Sequence, residues 1–190
     1  SLYAILLHRP EQLLTSKGYT LWRSLEKLKE NGVVKRIGVS ISDPSELDYL
    51  INRFSIDLVQ TAFNLIDQRL SLSGWLEKLN TLGVEVHTRS AFLQGLLLMP
   101  VTAIHEKFKF WLPLFNTWHE WLLDNNTSAV EACIGFVQEY SQIDKMIVGV
   151  DSTQQLKQLI EVEKKPSNTA WPDINCSDRD LINPANWNIL

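Results

Sequence analysis

The chain has 190 residues, of which 45% are hydrophobic and 21% are charged, and its formal net charge is -4. This composition is typical of one soluble globular domain with a sizeable core. Because the Lys and Arg residues are scattered among acids, we expect no nucleic-acid partner. No apolar stretch reaches the length of a membrane span, so we expect no membrane association. The small number of cysteines and the lack of a signal-peptide pattern lead us to expect a reducing, cytoplasmic location.

Metal and disulfide chemistry are not indicated. Cys133 and Cys176 are too few for a disulfide framework and do not have metal-binding spacing. His87 and His105 have no partners in the sequence that would mark them as ligands, so we expect no metal site. The chain does not begin with methionine, from which we expect a fragment or a processed product.

The first predicted element is the apolar run YAILLHRP at residues 3–10, which ends in a histidine followed by a proline. Such a run predicts a strand that is buried on both faces, as in a parallel sheet. His8 would then lie at the carboxyl end of the strand, where barrel enzymes keep their catalytic groups. A histidine that only caps a backbone carbonyl at the strand end is an equally good interpretation, and both stay open.

Helical and strand patterns alternate from there to residue 90. Leu21, Leu25 and Leu28 recur with helical period and are followed by Asn31 and Gly32, which typically end a helix. The next predicted strands are residues 33–40, 56–63 and 84–90, and the helices between them begin near residues 42 and 73.

This alternation changes after residue 98. Residues 104–123 are predicted as one long aromatic helix, in which packing is preferred over a substrate-pocket role for Trp111 and Phe115. A second helix covers residues 128–140, a fifth strand residues 145–150, and a last helix reaches about Val162. Residues 164–190 predict a tail that wraps the body and docks through Trp171 and Trp187.

The predicted fold class is α/β with a parallel sheet and right-handed crossovers. Five strand-helix units would form an open sheet, or just over half of a (β/α)8 TIM barrel. We assign residues 1–163 to this barrel-like part and residues 164–190 to the C-terminal tail. Such a sheet has two open edges, so we expect the chain to be aggregation-prone or to associate with itself.

Parallel strands end at the same edge of their sheet, so polar residues at the strand ends should converge there. These residues are His8, Ser40, Gln60, Arg89, Ser90 and Gly149.

Two of the loops resemble phosphate sites. Ser152 precedes a helix whose backbone N–H groups would face an anion. Arg89 and Ser90, followed by Leu93 and Gly95, offer a cation and a close backbone approach. Taken singly, Ser152 is more typical of a helix cap and Gly95 of a loop glycine. Their occurrence after the last two strands is what favours phosphate binding.

The order and spacing of these motifs resemble the aldo-keto reductases, which are NAD(P)H-dependent enzymes on an eight-stranded (β/α) barrel. The matching motifs, for strands four to eight in turn, are LLHRP at 6–10, IGVS at 37–40, VQ at 59–60, TRSAFLQG at 88–95 and VGVDSTQQL at 148–156. The resemblance covers nearly the whole chain up to about Val162. It implies that the chain is the C-terminal part of the barrel and that strands one to three are absent.

The resemblance also implies roles for individual residues. His8 would belong to a catalytic Asp, Tyr, Lys, His tetrad, and Ser40 and Gln60 would bind the nicotinamide carboxamide. Ile41 replaces the asparagine that usually shares this contact. Arg89 replaces an aromatic residue, so its guanidinium plane would stack on the nicotinamide instead. The other implied cofactor-binding residues are Ser90, Leu93, Gly95, Gly149, Ser152 and Gln155.

The implied activity is carbonyl reduction, or the reverse alcohol oxidation, by direct hydride transfer. The cofactor would be NADP or NAD. The preference for NADP comes from the family at large. The sequence does not strengthen it, because Gly149 and Gln155 lack the basic side chains that some members place against a 2′-phosphate. The partner would be a small-molecule carbonyl substrate. The pattern at residues 89–97 resembles a bacterial branch associated with surface-sugar biosynthesis, which suggests a sugar derivative.

Only one of the four tetrad residues has a counterpart in this chain, so we expect the chain to be inactive alone. Its four tyrosines do not lie at the carboxyl end of a predicted strand, where the family's general acid would be. Two other hypotheses stay open. One is a non-catalytic truncated barrel that binds a dinucleotide or a protein partner. The other is a phosphate-binding lyase or isomerase, which would explain Ser152 but not the joint placement of His8, Ser40, Gln60 and Ser90.

Overall fold

The computed structural model describes residues 1–162 and 170–188, so parts of the predicted tail, residues 164–169 and 189–190, lie outside the described residues. Five strands form one open sheet in the order β1-β2-β3-β4-β5, and β1 to β4 pair in parallel. The strands are β1 (Leu2–Leu7), β2 (Val34–Ser40), β3 (Leu58–Ala62), β4 (Glu85–Arg89) and β5 (Lys145–Met146). The predicted α/β class with a partial-barrel sheet is therefore confirmed.

Helices separate these strands in the chain. The α-helices are α1 (Gly18–Glu30), α2 (Leu47–Leu50), α3 (Arg69–Leu72), α4 (Trp75–Thr81), α5 (Leu112–Asp124), α6 (Ala129–Gln138), α7 (Thr153–Glu161) and α8 (Arg179–Ile182). The 3-10 segments are Pro10–Leu14, Pro44–Glu46, Leu96–Leu98, Val101–Ala103, Glu106–Trp111 and Pro184–Asn188. None of the helices in the described ranges combines the length and the apolar character that a membrane crossing requires.

The chain divides into two compact units. Unit 1 comprises Ser1–Ala62, Arg69–Arg89 and Gln142–Lys145, and unit 2 comprises Phe63–Gln68, Ser90–Ser141 and Met146–Leu190. The division into residues 1–163 and 164–190 that the sequence suggests stays a prediction, because residues 163–169 are not described.

The core of unit 1 consists of apolar residues of its central strands and of the helices that follow them. Val39 and Leu58 are completely buried in neighbouring strands, and Leu47 and Leu79 are completely buried on α2 and α4. Asp43 and Glu46 form a reciprocal capping box ahead of α2.

Strand β1 is more exposed than the sequence predicts. Leu2 and Tyr3 expose 57% and 45% of their surfaces, and the residues that follow in β1 are only partly buried. The strand lies at an edge of the sheet with β2 as its one neighbour. The predicted burial on both faces is therefore wrong for β1. An apolar run favours a strand, but it does not distinguish an edge strand from a central one.

Two further elements are shorter than predicted. Strand β5 covers two residues, Lys145–Met146, instead of residues 145–150. The helix predicted for residues 104–123 begins as an α-helix only at Leu112. Pro113 lies in the first turn of α5, where its missing N–H is tolerated, whereas a helix interior would exclude it.

Aromatic rings fill much of unit 2. Phe63 lies 5.5 Å from Phe136 and 4.8 Å from Tyr140, measured between ring centroids. Trp171 packs against Phe136 and Trp121, and its indole N–H donates to the Glu139 carboxylate over 2.7 Å. Trp171 thus packs within unit 2.

The second predicted anchor of the tail, Trp187, also packs within unit 2. Its ring lies 4.9 Å from that of Phe108, and its indole N–H donates to the Leu181 carbonyl oxygen over 3.0 Å. Phe115 is completely buried and Trp111 is 9% exposed, which agrees with the packing role preferred for them.

Candidate active site

Ser40 and Gln60 are in contact near the carboxyl edge of the sheet in unit 1. Ser40 is the last residue of β2, and it pairs in register with Gln60 of β3. The Ser40 hydroxyl donates to Gln60 Oε1 over 3.1 Å, and Ser40 is only 7% exposed. A hydroxyl and a primary amide together offer donors and acceptors that complement another primary amide. The pair is therefore chemically complementary to a primary amide.

Arg89 joins this edge from β4. Its Nη2 donates to the carbonyl oxygen of Ile41 over 3.2 Å. Ile41 directly follows Ser40, and β3 lies between β2 and β4 in the sheet. The guanidinium group therefore reaches across the end of β3. A planar cation in this position can stack on an aromatic ligand ring.

His8 directly follows the last residue of β1, and its side chain is exposed. Within the described part of the chain, the imidazole forms no hydrogen bond. The interpretation of His8 as a cap for a backbone carbonyl is therefore wrong for this conformation. Its catalytic role stays a prediction.

In unit 2, residues 90–95 form a loop with an unusual backbone. Ser90, Leu93 and Gln94 have φ angles of 62°, 45° and 54°, and Gly95 has a φ of 85°. The N–H groups of Leu93 and Gly95 donate to the carbonyl oxygens of Ser90 and Phe92, both over 2.9 Å. A left-handed conformation costs a non-glycine residue roughly 1–2 kcal/mol. Contacts with the surrounding structure must therefore hold this loop in place.

One such contact comes from Asn64, which the sequence analysis did not single out. Asn64 is completely buried, and its Nδ2 donates to the Ser90 carbonyl oxygen over 2.9 Å. Its Oδ1 accepts the N–H groups of Ile66 and Asp67, each over 2.9 Å. The only signal in the sequence is a polar residue in the apolar stretch after β3, which does not reveal its partner.

The segment before α7 forms a helix cap. Ser152 Oγ accepts the N–H of Gln155 over 3.1 Å, and the Gln155 side chain accepts the N–H of Asp151 over 2.7 Å. Gly149 lies nearby in the chain and is exposed. The interpretation of Ser152 as a cap is confirmed, whereas anion binding by this segment stays a prediction.

A second polar cluster lies near the amino end of the sheet in unit 1. The Tyr3 hydroxyl donates to Glu85, Arg36 Nε lies 2.7 Å from Glu85 Oε2, and His87 Nε2 lies 2.7 Å from Glu85 Oε1. Glu85 and His87 are both buried. Burial alone would raise the pKa of Glu85. The hydrogen bonds from Tyr3 and His87 and the charge of Arg36 outweigh this effect, so the pKa lies below its usual value.

His87 is therefore not the unpartnered residue that its sequence context suggests. Its partner Glu85 is two residues away on the same strand, on the same face. Among the described residues, no group of three or more His, Cys, Asp or Glu side chains could hold a metal ion. Arg36 and Glu85 of this cluster lie toward the amino ends of β2 and β4, away from Ser40 and Arg89, and His87 lies at the middle of β4 in register with Gln60.

The chain is similar to known proteins in sequence pattern and in fold. Residues 3–170 match the model of the Aldo/keto reductase family. The holo form of aldo-keto reductase AKR11C1 from Bacillus halodurans superposes with a TM-score of 0.59 and 21% identity, over 74% of this chain and 49% of that chain. Its apo form has the same score and identity over 74% of this chain and 50% of that chain.

A further solved structure is the thermostable aldo-keto reductase Tm1743 in complex with the inhibitor epalrestat. It has a TM-score of 0.56 and 18% identity, over 85% of this chain and 53% of that chain. This chain thus spans about half the length of these solved structures. No curated protein matches it significantly. The family model covers most of the sequence, and the chain belongs to the aldo/keto reductase family.

Proposed function

We propose that the protein containing this chain is an NAD(P)H-dependent carbonyl reductase that also catalyses the reverse alcohol oxidation. The observation that carries the proposal is the Ser40–Gln60 contact at the ends of adjacent parallel strands, in a chain of this family. When bound, the cofactor supplies a hydride that passes directly from the nicotinamide to the substrate carbon. NADP is the preferred form, and a sugar-derived carbonyl compound is the proposed substrate class in a cytoplasmic setting.

In unit 1, Ser40 and Gln60 would hold the nicotinamide carboxamide through their hydroxyl and amide groups. Arg89 would place its guanidinium plane against the ring. His8 would hydrogen-bond the substrate carbonyl oxygen and so orient it. The exposed imidazole at the end of β1 supports this role, because its ring nitrogens are accessible to a ligand.

In unit 2, the 90–95 loop and the segment around Ser152 would bind the phosphate-bearing part of the cofactor. The left-handed backbone of the loop allows a close approach by a ligand, which supports the roles of Ser90, Leu93 and Gly95. The N-terminus of α7, with Gly149, Ser152 and Gln155 before or within its first turn, would face an anion.

We further propose that the 190-residue chain has little or no turnover by itself. Of the four catalytic residues that the family resemblance implies, only the histidine has a counterpart, His8. A histidine can orient a carbonyl group, but it does not replace a tyrosine whose pKa has been lowered for proton donation.

The first test is cofactor binding to the protein expressed from its complete gene, measured by calorimetric titration with NADPH and with NADH. Replacing Gln60→Ala should weaken binding about tenfold, because one or two hydrogen bonds to the carboxamide are lost. Gln142→Ala is the matched control. The Gln142 amide donates to Glu77 over 3.3 Å on the surface of unit 1, so its loss should leave binding unchanged.

The second test is turnover with a panel of sugar aldehydes and ketones, using NADPH deuterated at C4 of the nicotinamide. Deuterium should appear on the alcohol carbon of the product. The 190-residue chain alone should show no turnover above background. The proposal is wrong if the complete protein binds neither nucleotide. Binding without any turnover of the panel would instead favour a non-catalytic dinucleotide-binding protein.

A further inference from the structure

We infer that Asn64 is a positioning residue that holds the 90–95 loop in its cofactor-binding conformation. The inference rests on the proposed function, because it assumes that this loop binds the phosphates of NAD(P)H. It concerns unit 2 alone, where both Asn64 and the loop are located.

The Ser90 carbonyl oxygen is the point at which the loop is held. From inside the loop it accepts the N–H of Leu93 over 2.9 Å, which closes the first turn. From outside it accepts the Asn64 side-chain amide, also over 2.9 Å. A carbonyl oxygen has two lone pairs, so it can accept both hydrogen bonds at once. Asn64 thus ties the first turn of the loop to a buried segment.

Asn64 is itself fixed from three sides. Its Oδ1 accepts the N–H groups of Ile66 and Asp67, and its own N–H donates to the Asp67 carbonyl oxygen over 3.1 Å. The adjacent side chains of Leu65 and Ile66 are completely buried. The N–H of Cys176 donates to the Ile66 carbonyl oxygen over 2.8 Å, which adds a contact from a distant part of unit 2. The amide therefore has one orientation available to it.

The loop needs such an anchor because of its backbone. Ser90, Leu93 and Gln94 are non-glycine residues with positive φ, so the isolated segment would favour other conformations. A ligand that requires the left-handed arrangement binds more weakly when that arrangement is only partly populated. The Asn64 hydrogen bond raises its population before the ligand arrives. We therefore expect Asn64 to affect cofactor affinity without touching the cofactor.

The test uses two substitutions in the protein expressed from its complete gene. Asn64→Asp keeps an oxygen that accepts the Ile66 and Asp67 N–H groups but removes the donor to Ser90. Asn64→Ala removes the donor without adding a charge. The matched control is Asn125→Asp, because the Asn125 amide also donates to a backbone carbonyl oxygen in unit 2, that of Trp121 over 2.8 Å.

The probe is NADPH in a calorimetric titration, which gives both Kd and the number of sites per chain. Asn64→Asp should raise Kd about tenfold, the effect of losing the one buried hydrogen bond to Ser90. Asn64→Ala should raise Kd at least as much, because it also removes the acceptor of the Ile66 and Asp67 N–H groups. The number of sites should stay unchanged in both variants. The Asn125 variant should match the wild type. Urea unfolding then shows that each variant is folded under the titration conditions.

Two results would overturn the inference. One is a wild-type Kd in both Asn64 variants. The other is an unchanged Kd with fewer sites per chain, since a purely structural defect lowers the fraction of competent protein and not its affinity. If the wild type itself binds neither NADPH nor NADH, the proposed function is wrong and the inference is overturned with it.

Discussion

The Glu85 carboxylate interacts with residues of three strands. It is hydrogen-bonded to Tyr3 of β1 and to His87 of β4, and it forms an ion pair with Arg36 of β2. A buried carboxylate is costly unless hydrogen bonds and an opposite charge compensate for its lost hydration. Here both are present, and their combined effect keeps the pKa of Glu85 below its usual value in spite of burial. The ionised form is therefore the one that the folded protein stabilises.

The sign of the pH dependence follows from this direction. Because the pKa is lower in the folded state, the stabilisation is fully present above the usual carboxyl pKa of 4.5 and is lost as the pH falls toward the folded-state pKa. Glu85→Gln should lower the free energy of unfolding by about 1–3 kcal/mol at pH 7. The difference from the wild type should shrink as the pH falls below that usual value.

Urea unfolding at pH 7 and at stepwise lower pH measures this difference. The control is Glu106→Gln. In the wild type, the Glu106 carboxylate lies on the surface, 3.7 Å from the Lys109 ammonium group. This substitution should change the free energy of unfolding by under about 0.5 kcal/mol, as is usual for exposed ion pairs. A Glu85→Gln variant with wild-type stability at pH 7 would show that the cluster is not stabilising.

At the residue scale, the sequence indicated Ser40 and Gln60 but not Asn64 or Glu85. Ser40 and Gln60 follow from position, because the ends of adjacent parallel strands must meet. Asn64 and Glu85 contact residues 26 and 82 positions away in the chain, Ser90 and Tyr3. Such pairs depend on the path of the whole chain, and a residue's local context does not specify them.

At the scale of elements, two glycines in regular structure have opposite surroundings. Gly38 lies inside β2, and a Cβ built on it would be 1.9 Å from the Leu58 carbonyl oxygen of β3. Gly135 lies inside α6, and among the described residues a Cβ there would meet only the Trp171 ring, at 3.6 Å, an ordinary contact. The first glycine permits the close approach of two strands, whereas the second leaves room for a methyl group.

We therefore expect opposite effects from the same substitution. Gly38→Ala should destabilise the protein by about 1–3 kcal/mol or more, because the backbone of β3 would have to move. Gly135→Ala should stabilise it by about 0.5–1 kcal/mol, because alanine loses less conformational entropy in a helix. The midpoints of urea unfolding, measured for both variants and the wild type, test these opposite changes in stability. Equal shifts of the same sign would contradict the packing described for β2 and β3.

At the scale of the whole molecule, the sheet has open edges. Strand β1 is an edge strand with the sequence LYAILL, which has no charge, proline or glycine to discourage pairing with another strand. Leu2 is 57% exposed on it. We expect the 190-residue chain to self-associate through this edge.

Sedimentation velocity over a range of concentrations measures this association. Leu2→Lys should shift the chain toward monomer, because two lysines brought together across paired edges repel each other and are costly to desolvate. Its urea midpoint should stay unchanged, since Leu2 is exposed and its hydrogen bond to Val33 is made by the backbone. Leu123→Lys, at an 80% exposed site on α5, is the control. A concentration-independent monomer in the wild type would refute the prediction.

The sequence by itself determined the alternation of strands and helices, the parallel order of the sheet and the convergence of Ser40, Gln60 and Arg89. These features follow from local periodicity and from the geometry of parallel strands. Any sequence in which strand and helix patterns alternate in this way implies the same arrangement. The family motifs are also local, so they were visible without a structure.

The tertiary structure alone decided which strands are exposed, where β5 and α5 begin and end, and what Asn64 and Glu85 contact. The physical reason is the same in each case. Burial, ladder length and hydrogen-bond partners are properties of pairs of segments that are distant in the chain. Local propensity can be satisfied in several arrangements, and only packing selects among them.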